Sequence, residues 1–146
     1  MKLHYKKFSE LTLEELYYII SLRMKVFIVE QNCPYNECDG KDFNSIHIFA
    51  AENNEIISYA RILLPGISSK EAAVGRVVVS KEYRGKGLAK EIMNKAIDYI
   101  KSELNETSVR IEAQVYLEEF YAKLGFKTVS NTFKLDNIPH IEMLLM

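Results

Sequence analysis

The stretch VVVSKEYRGKGLA, residues 77–89, decides how this chain folds. It begins with apolar residues typical of a buried strand, passes through a short polar turn and enters a helical pattern at Leu88. The two glycines leave backbone N–H groups open to a concavity, because no Cβ stands in the way. The N-terminus of the helix adds roughly half a positive charge at the same point. The segment therefore predicts a phosphate or diphosphate site, with Arg84 and Lys86 at its rim.

Two familiar nucleotide-binding loops are excluded at this segment. A Walker A loop needs Lys followed by Ser or Thr after its second glycine, and here Leu88 follows Gly87. A dinucleotide fingerprint needs a third glycine, which is absent from residues 88–90. Two glycines alone are also typical of a plain strand-to-helix turn. The strand before them, the helix after them and the two basic residues favour the anion site.

Outward from this segment, the periodicity predicts both helices and strands. Thr12 and Glu15 form a capping box that starts a first helix over about residues 13–27. Asn53-Asn54 predicts a hairpin between strands 46–51 and 56–64. The remaining predictions are a strand over 72–79, a helix from 88 to about 100, a strand over 109–115, a helix over 117–124 ending at Gly125, a strand starting in 126–129, a turn over 137–139 and a strand over 140–146. This order predicts an α/β or α+β protein with helices covering a mixed sheet.

A polar stretch, residues 30–43, has no clear periodicity and is predicted to be a long loop, a class that is often functional. Its Asp39 and Asp42 would either bind a cationic substrate or solvate the loop. Cys33 and Cys38 are spaced at the loose end of a zinc half-site, and no second pair follows them. We therefore expect reduced thiols in a cytoplasmic protein, and no metal.

The composition excludes several classes of protein. The chain has 146 residues, with 19 basic and 20 acidic ones and a formal net charge of −1, so we expect no nucleic-acid partner. No apolar run approaches the roughly 18 residues that a membrane span needs, and the first seven residues do not resemble a signal peptide. The length predicts one domain over residues 1–146.

At two places the sequence resembles the GNAT superfamily of N-acetyltransferases. Arg84-x-x-Gly87-x-Ala89, after the apolar strand 75–79, resembles the superfamily's acetyl-CoA pyrophosphate loop, and Tyr121-x-x-x-Gly125-Phe126 resembles its closing helix and turn. Further segments resemble the ElaA-like branch: RMKVFIVEQ at 23–31, CPY at 33–35, DGKD at 39–42 and IPHI at 138–141.

The resemblance implies a GNAT-like fold, a twisted mixed sheet splayed open near its middle, with acetyl-CoA held in the gap. Val77 and Val79 would offer backbone groups to the pantetheine arm, and a backbone N–H near Val78 or Val79 would meet the oxyanion. The pyrophosphate would lie against six consecutive residues: Arg84, Gly85, Lys86, Gly87, Leu88 and Ala89. The implied activity is acetyl transfer from acetyl-CoA to a primary amine of a small molecule or peptide.

The resemblance also implies a proton donor, Tyr121, for the departing CoA thiol. The alternative is that Tyr121 only packs, since it shares an apolar face with Phe120 and Leu124. Where the family often has an asparagine upstream, this chain has Gln114 and Tyr116.

Three residues are candidates for the general base that deprotonates the amine: Glu30, Glu112 and His140. A water molecule with the carboxylates as relays is an equal alternative.

Other functional classes are also compatible with the sequence. A CoA-binding sensor or interaction module without turnover would explain the missing asparagine and the uncertain base. A weaker alternative is a structural domain that binds simple anions. The protein would be a monomer or a homodimer, the latter through an exposed final strand.

Overall fold

The computed structural model describes residues 2–146, which fold around one mixed sheet. The strands are β1 (Leu3–Lys7), β2 (Ser45–Glu52), β3 (Glu55–Leu63), β4 (Ala72–Val79), β5 (Val109–Gln114), β6 (Lys127–Thr128), β7 (Phe133–Leu135) and β8 (Ile138–Leu145). Their order across the sheet is β1-β2-β3-β4-β5-β8-β6, and β7 also pairs with β8. The helices are α1 (Leu13–Arg23), α2 (Leu88–Ser102) and α3 (Glu118–Ala122). The predicted fold class is thereby confirmed.

The start of the first helix is confirmed and its predicted end is wrong. The Glu15 N–H donates to Thr12 Oγ1 at 3.0 Å and the Thr12 N–H donates to Glu15 Oε1 at 2.9 Å, as a capping box requires. After Arg23 the backbone widens into a π-helix over Met24–Glu30, with the Gln31 N–H bonded to the carbonyl of Val26. The apolar spacing continues through both segments, so periodicity cannot separate them.

Two strands of the sheet were not predicted, and one predicted strand begins earlier than expected. β1, at the sheet edge, and the three-residue β7 are absent from the predicted elements. The turn predicted over 137–139 lies one residue earlier, because Asp136 and Asn137 both adopt positive φ, at 50° and 65°. β8 therefore begins at Ile138 rather than at residue 140. The Asn53-Asn54 hairpin is confirmed, with φ of 52° and 61°.

The sheet is covered on both faces. On one face α2 buries Ile92, Met93 and Ile100 against the strands, and Tyr121 of α3 joins the same cluster. On the other face Ile19 of α1 packs with Phe49 and Tyr59 in a second cluster. No helix in residues 2–146 is long and apolar enough to cross a membrane.

The expectation that the final strand is exposed for pairing with another copy is wrong. β8 pairs with β5 along one edge, from Val109↔Leu145 to Gln114↔His140. Along its other edge it pairs with β6 and β7. Because both edges of β8 are occupied, a homodimer through this strand would need one of these ladders to open.

The sheet opens between β4 and β5. These two strands are parallel and pair only at Ala72↔Val109 and Ala73↔Arg110. On the β3 side the β4 register shifts, so that Gly75 lies opposite Arg61 while Val78 lies opposite Tyr59. Such a bulge bends its strand, and here β4 diverges from β5 beyond it. The predicted splay near the middle of the sheet is confirmed.

A closed ring of six charged side chains lies beside this bulge. Its members are Arg23, Glu37, Arg76, Asp39, Arg61 and Asp42, and each contacts the next, with Asp42 returning to Arg23. Every carboxylate is shared by two guanidinium groups, and the ring holds three charges of each sign. It joins α1, β3 and the β4 bulge to the segment 37–42. The predicted loop is therefore tied to the core by its acidic residues.

Asp39 and Asp42 are bound by the arginines of the ring. Arg61 binds both oxygens of Asp39 at 2.9 Å. Burial alone would raise the pKa of Asp39, but the hydrogen bonds from Arg61 and the nearby positive charges lower it. The pKa of Asp42 is lowered in the same way against its burial, mainly by Arg23. Both carboxylates therefore remain ionised within the ring.

Asp42→Asn removes one charge from the ring without opening a cavity. Arg23 and Arg61 would then be buried with too little negative charge, and we expect the free energy of unfolding to fall by about 3–5 kcal/mol. Urea denaturation at pH 7 measures this. The exposed Glu52→Gln should change it by less than about 0.5 kcal/mol.

The difference between wild type and Asp42→Asn also has a predicted pH dependence. The pKa of Asp42 is lower in the folded than in the unfolded state. The ionised carboxylate therefore contributes fully to the free energy of unfolding above the unfolded-state pKa of about 3.9. This contribution is lost as the pH falls through the folded-state pKa. An equal loss of stability in Asp42→Asn and Glu52→Gln at pH 7 would contradict the importance of the ring.

Candidate active site

A cavity of about 880 Å³ occupies the gap between β4 and β5. The 74–79 backbone forms one wall and residues 111–114 of β5 form the other. The turn before α2 closes one end beside Glu30 of the π-helix, and the 33–41 segment and His140 surround the other. Of the predicted cofactor-binding residues, all line this cavity except Lys86, whose ammonium lies 5.3 Å from the centre of the Tyr83 ring.

The glycine turn has the geometry that an anion site requires. Gly85 and Gly87 adopt φ of 80° and 77°, in the left-handed region, and Gly87 is the N-cap of α2. Within residues 2–146, no protein group accepts a hydrogen bond from the amides of residues 85–90. A row of unpaired N–H groups at a helix N-terminus binds phosphate well. The turn is therefore more than a connection between a strand and a helix.

Arg84 is already engaged beside this turn. Its Nη2 lies 2.9 Å from Glu30 Oε2, its Nη1 contacts Glu30 Oε1, and its Nε donates to the Val79 carbonyl at 3.1 Å. The hydrogen bond from Arg84 lowers the pKa of Glu30, which makes Glu30 a weaker base than an ordinary carboxylate. Both side chains remain largely exposed.

The Tyr121 side chain is buried but its hydroxyl is not enclosed by protein. The ring packs edge to face on Phe120 and Phe126. Its hydroxyl lines the cavity, makes no hydrogen bond within residues 2–146 and is not closed off from solvent. Burial, helped by the neighbouring Tyr116 hydroxyl, raises the pKa of Tyr121 to about 12. Tyr121 is therefore protonated at neutral pH and can donate a proton into the cavity.

His140 presents one ring nitrogen as an acceptor. Its Nδ1 lies 2.7 Å from the Ile138 carbonyl oxygen, which can only accept, so Nδ1 carries the proton of the neutral ring. The ring stacks on Phe133, with centroids 6.2 Å apart. Nε2 is left with its lone pair, and His140 lines the cavity opposite Gln114 in the ladder. This is the arrangement that a general base needs.

Glu112 and Gln114 lie on the β5 wall of the cavity. Glu112 is exposed, without an ion pair among the described residues. Gln114 Nε2 donates to Gln31 Oε1 at 3.4 Å, which connects β5 to the end of the π-helix. The glutamine therefore links the β5 wall to the end of the π-helix where the resemblance leads one to expect an asparagine.

Sequence reasoning missed the residues at the far end of the cavity. Tyr35, Lys41 and Arg76 all line it, and Arg76 lies in the β4 bulge with φ of 54°. The sequence gives no sign of this bulge, because neither the strand propensity of arginine nor the spacing of the apolar residues around Arg76 indicates one. The buried Cys33 lies there too, and its Sγ donates to the Asp136 carbonyl at 3.2 Å.

The mixed sheet is splayed, and a helix preceded by two glycines begins at the gap. This combination is typical of an acyltransferase fold. The sequence profile described as "Acetyltransferase (GNAT) domain" matches residues 12–146, and the chain belongs to this GNAT family. It is 38% identical over 137 residues to the protein ElaA of Escherichia coli, covering 92% of this chain and 90% of that one. The predicted resemblance is confirmed.

Solved structures agree with this assignment. An acyl-CoA N-acyltransferase from Pseudomonas aeruginosa superposes with a TM-score of 0.95 at 36% identity, covering 99% of both chains. The crystal structure of Escherichia coli ElaA gives 0.91 at 36% identity over the whole of both chains. An aminoglycoside 6'-N-acetyltransferase complexed with coenzyme A gives 0.71 at 15% identity, over 97% of this chain and 95% of that one, which shows a shared fold alone.

The open Tyr121 hydroxyl generates a stability prediction. Because the hydroxyl bonds to no described protein group, Tyr121→Phe should change the free energy of unfolding by less than about 0.5 kcal/mol. In Tyr59, by contrast, the enclosed hydroxyl lies 2.6 Å from His47 Nδ1, and Tyr59→Phe should cost about 1–3 kcal/mol. Urea denaturation of both variants compares them. A large loss for Tyr121→Phe would mean that its hydroxyl has a structural partner.

Proposed function

We propose that this protein transfers the acetyl group of acetyl-CoA to a primary amine of a small molecule or peptide. The observation that carries the proposal is the row of unpaired amides at residues 85–90 at one end of the cavity. A diphosphate on these amides would lie where the coenzyme's chain can enter the gap between β4 and β5. The two free thiols, Cys33 and Cys38, support a reducing compartment such as the cytoplasm.

The β4 wall supports an extended acyl carrier. Beyond Ala73, β4 has no strand partner on its β5 side among the described residues, so its backbone groups face the cavity. Amide groups of a pantetheine arm would pair with the backbone of Val77 and Val79 as an added strand does. The backbone N–H near Val78 or Val79 would stabilise the negative charge that develops on the thioester oxygen.

Tyr121 is the proton donor in this proposal. When the amine nitrogen forms its bond to the acetyl carbon, the carbon–sulfur bond breaks and sulfur leaves with the electron pair. A free thiol has a pKa of roughly 8.5, so protonation helps it to leave. Tyr121 supports this role because its hydroxyl is protonated and opens into the cavity.

His140 is the base that the geometry supports best among the three candidates. An amine must lose a proton when it attacks, and His140 Nε2 is free to accept it. Glu30 is held in its ion pair with Arg84, which lowers its basicity. Glu112 lines the cavity too, without a hydrogen bond among the described residues that would orient it, and it remains the alternative.

Thermal denaturation with acetyl-CoA tests the binding step. A ligand present at a hundred times its dissociation constant raises the free energy of unfolding by about 2.7 kcal/mol. For a chain of this length, that corresponds to a rise in melting temperature of about 8 °C. Gly87→Glu should abolish the rise, because its carboxylate would repel the diphosphate. Gly66→Glu is the matched control: Gly66 also has positive φ and open space, but lies outside the cavity.

No rise at millimolar acetyl-CoA in the wild type would contradict the proposal. An equal rise in Gly87→Glu would contradict the diphosphate site at the glycine turn. A rise in melting temperature without release of CoA thiol in the presence of any amine or peptide would favour a CoA-binding sensor instead.

The pH dependence of turnover tests His140. A base must be unprotonated to act, so kcat/KM should fall as the pH is lowered and the base takes up a proton. His140→Gln should remove this acidic limb and lower kcat/KM at pH 7.5 by about 100-fold. Glu112→Gln is the control. If it removes the limb while His140→Gln keeps it, Glu112 is the base.

A further inference from the structure

The far end of the cavity, beyond the predicted position of the thioester, has a wall with cationic donors that the protein leaves partly free. The segment 35–41 and the β4 bulge form this wall, which includes Tyr35, Lys41 and Arg76. None of these residues belongs to the glycine turn or to the proposed proton-transfer groups. Since the coenzyme enters from the glycine turn, this end is available to the acceptor.

Arg76 is held so that part of its guanidinium stays free. Its Nε lies 2.9 Å from Glu37 Oε1, its Nη2 lies 3.4 Å from Asp39 Oδ2, and its guanidinium carbon lies 5.8 Å from the centre of the Tyr35 ring. Nη1 has no hydrogen-bond partner within residues 2–146 and is open to solvent. The positive φ of Arg76 is unfavourable for a residue with a Cβ, and such strain clusters at functional sites.

Two cationic groups on this wall keep hydrogen-bond donors free. The ring of six is neutral, and both oxygens of Asp39 are already bonded by Arg61, so Asp39 has little capacity left for a cationic ligand. Lys41 adds a positive charge, and its ammonium has no ion pair in the described part of the chain. Its backbone N–H donates to Asp39 Oδ1 at 3.0 Å, which places Lys41 beside the carboxylate that Arg76 also contacts. Asp136 lines the same cavity, so the wall presents charges of both signs.

We infer that the acetyl acceptor is an amino acid or a similar amine with a carboxylate close to the amino group. Arg76 Nη1 and Lys41 Nζ would bind the carboxylate, because a guanidinium and an ammonium are its natural partners. Arg76 is two residues from Val78, at most about 7 Å along the backbone, so the amine would lie close to the predicted thioester position.

This inference rests on the proposed function and is tested with matched acceptors. Phenylalanine is compared with 2-phenylethylamine, and ornithine with putrescine; each pair differs only in the carboxylate. Release of CoA thiol gives kcat/KM for each acceptor at saturating acetyl-CoA. We expect each amino acid to be preferred at least tenfold over its amine, as one charged hydrogen-bonded contact allows.

Variants then assign the preference to the wall. Lys41→Met should reduce the preference to about threefold or less by raising KM for the amino acids. The fold should be kept, since the Lys41 side chain lies outside the ring. Lys95→Met, on the exposed face of α2, should leave the preference unchanged. Arg76→Gln should reduce it further, and Arg76→Lys should restore part of it. Urea denaturation shows whether either change at Arg76 unfolds the ring.

Equal or better turnover of the amines than of the amino acids by the wild type would overturn the inference and leave acetyl transfer intact. The same holds if Lys41→Met and a folded Arg76→Gln both keep the full preference. If acetyl-CoA neither raises the melting temperature nor releases thiol with any acceptor, the proposed function itself fails, and this inference with it.

Discussion

The structure depends on the ring of three arginines and three carboxylates beside the β4 bulge. Buried charges such as those of Arg23, Glu37 and Arg61 are tolerated only when they are paired and hydrogen-bonded, and here each group of the ring has two partners of opposite sign. The ring attaches the irregular segment after the π-helix to the sheet, and it holds Arg76 at the point where β4 bends. Without it, the far end of the cavity would have no fixed wall.

The gap between β4 and β5 is the second constraint. A parallel pair that ends after two residues leaves backbone N–H and C=O groups without partners, which an ordinary protein interior would not tolerate. A ligand with amide groups can satisfy them, so the site consists largely of main chain. Side chains such as Tyr121 and His140 are then placed by α3, which contacts β5, and by β8, which pairs with β5.

Much of this could be predicted from the sequence, because local signals and tertiary structure agree. The glycine turn, the capping box at Thr12 and the Asn53-Asn54 hairpin each depend on residues close in the chain. The ring could not be predicted: residues 23, 37, 61 and 76 are far apart in sequence, and a near-neutral composition does not say which charges meet. The π-helix was missed because Val26 and Phe27 keep the apolar spacing of an α-helix.

The ion pair between Arg84 and Glu30 has a consequence for the order of events at the cavity. An incoming diphosphate and Glu30 would compete for the same guanidinium, so loading of the proposed coenzyme would separate the pair. Glu30 would then become a free carboxylate at the entrance, and the field there would become more negative as the first substrate settles. Such an exchange would make the empty and the loaded forms attract different second substrates, which favours ordered rather than random addition.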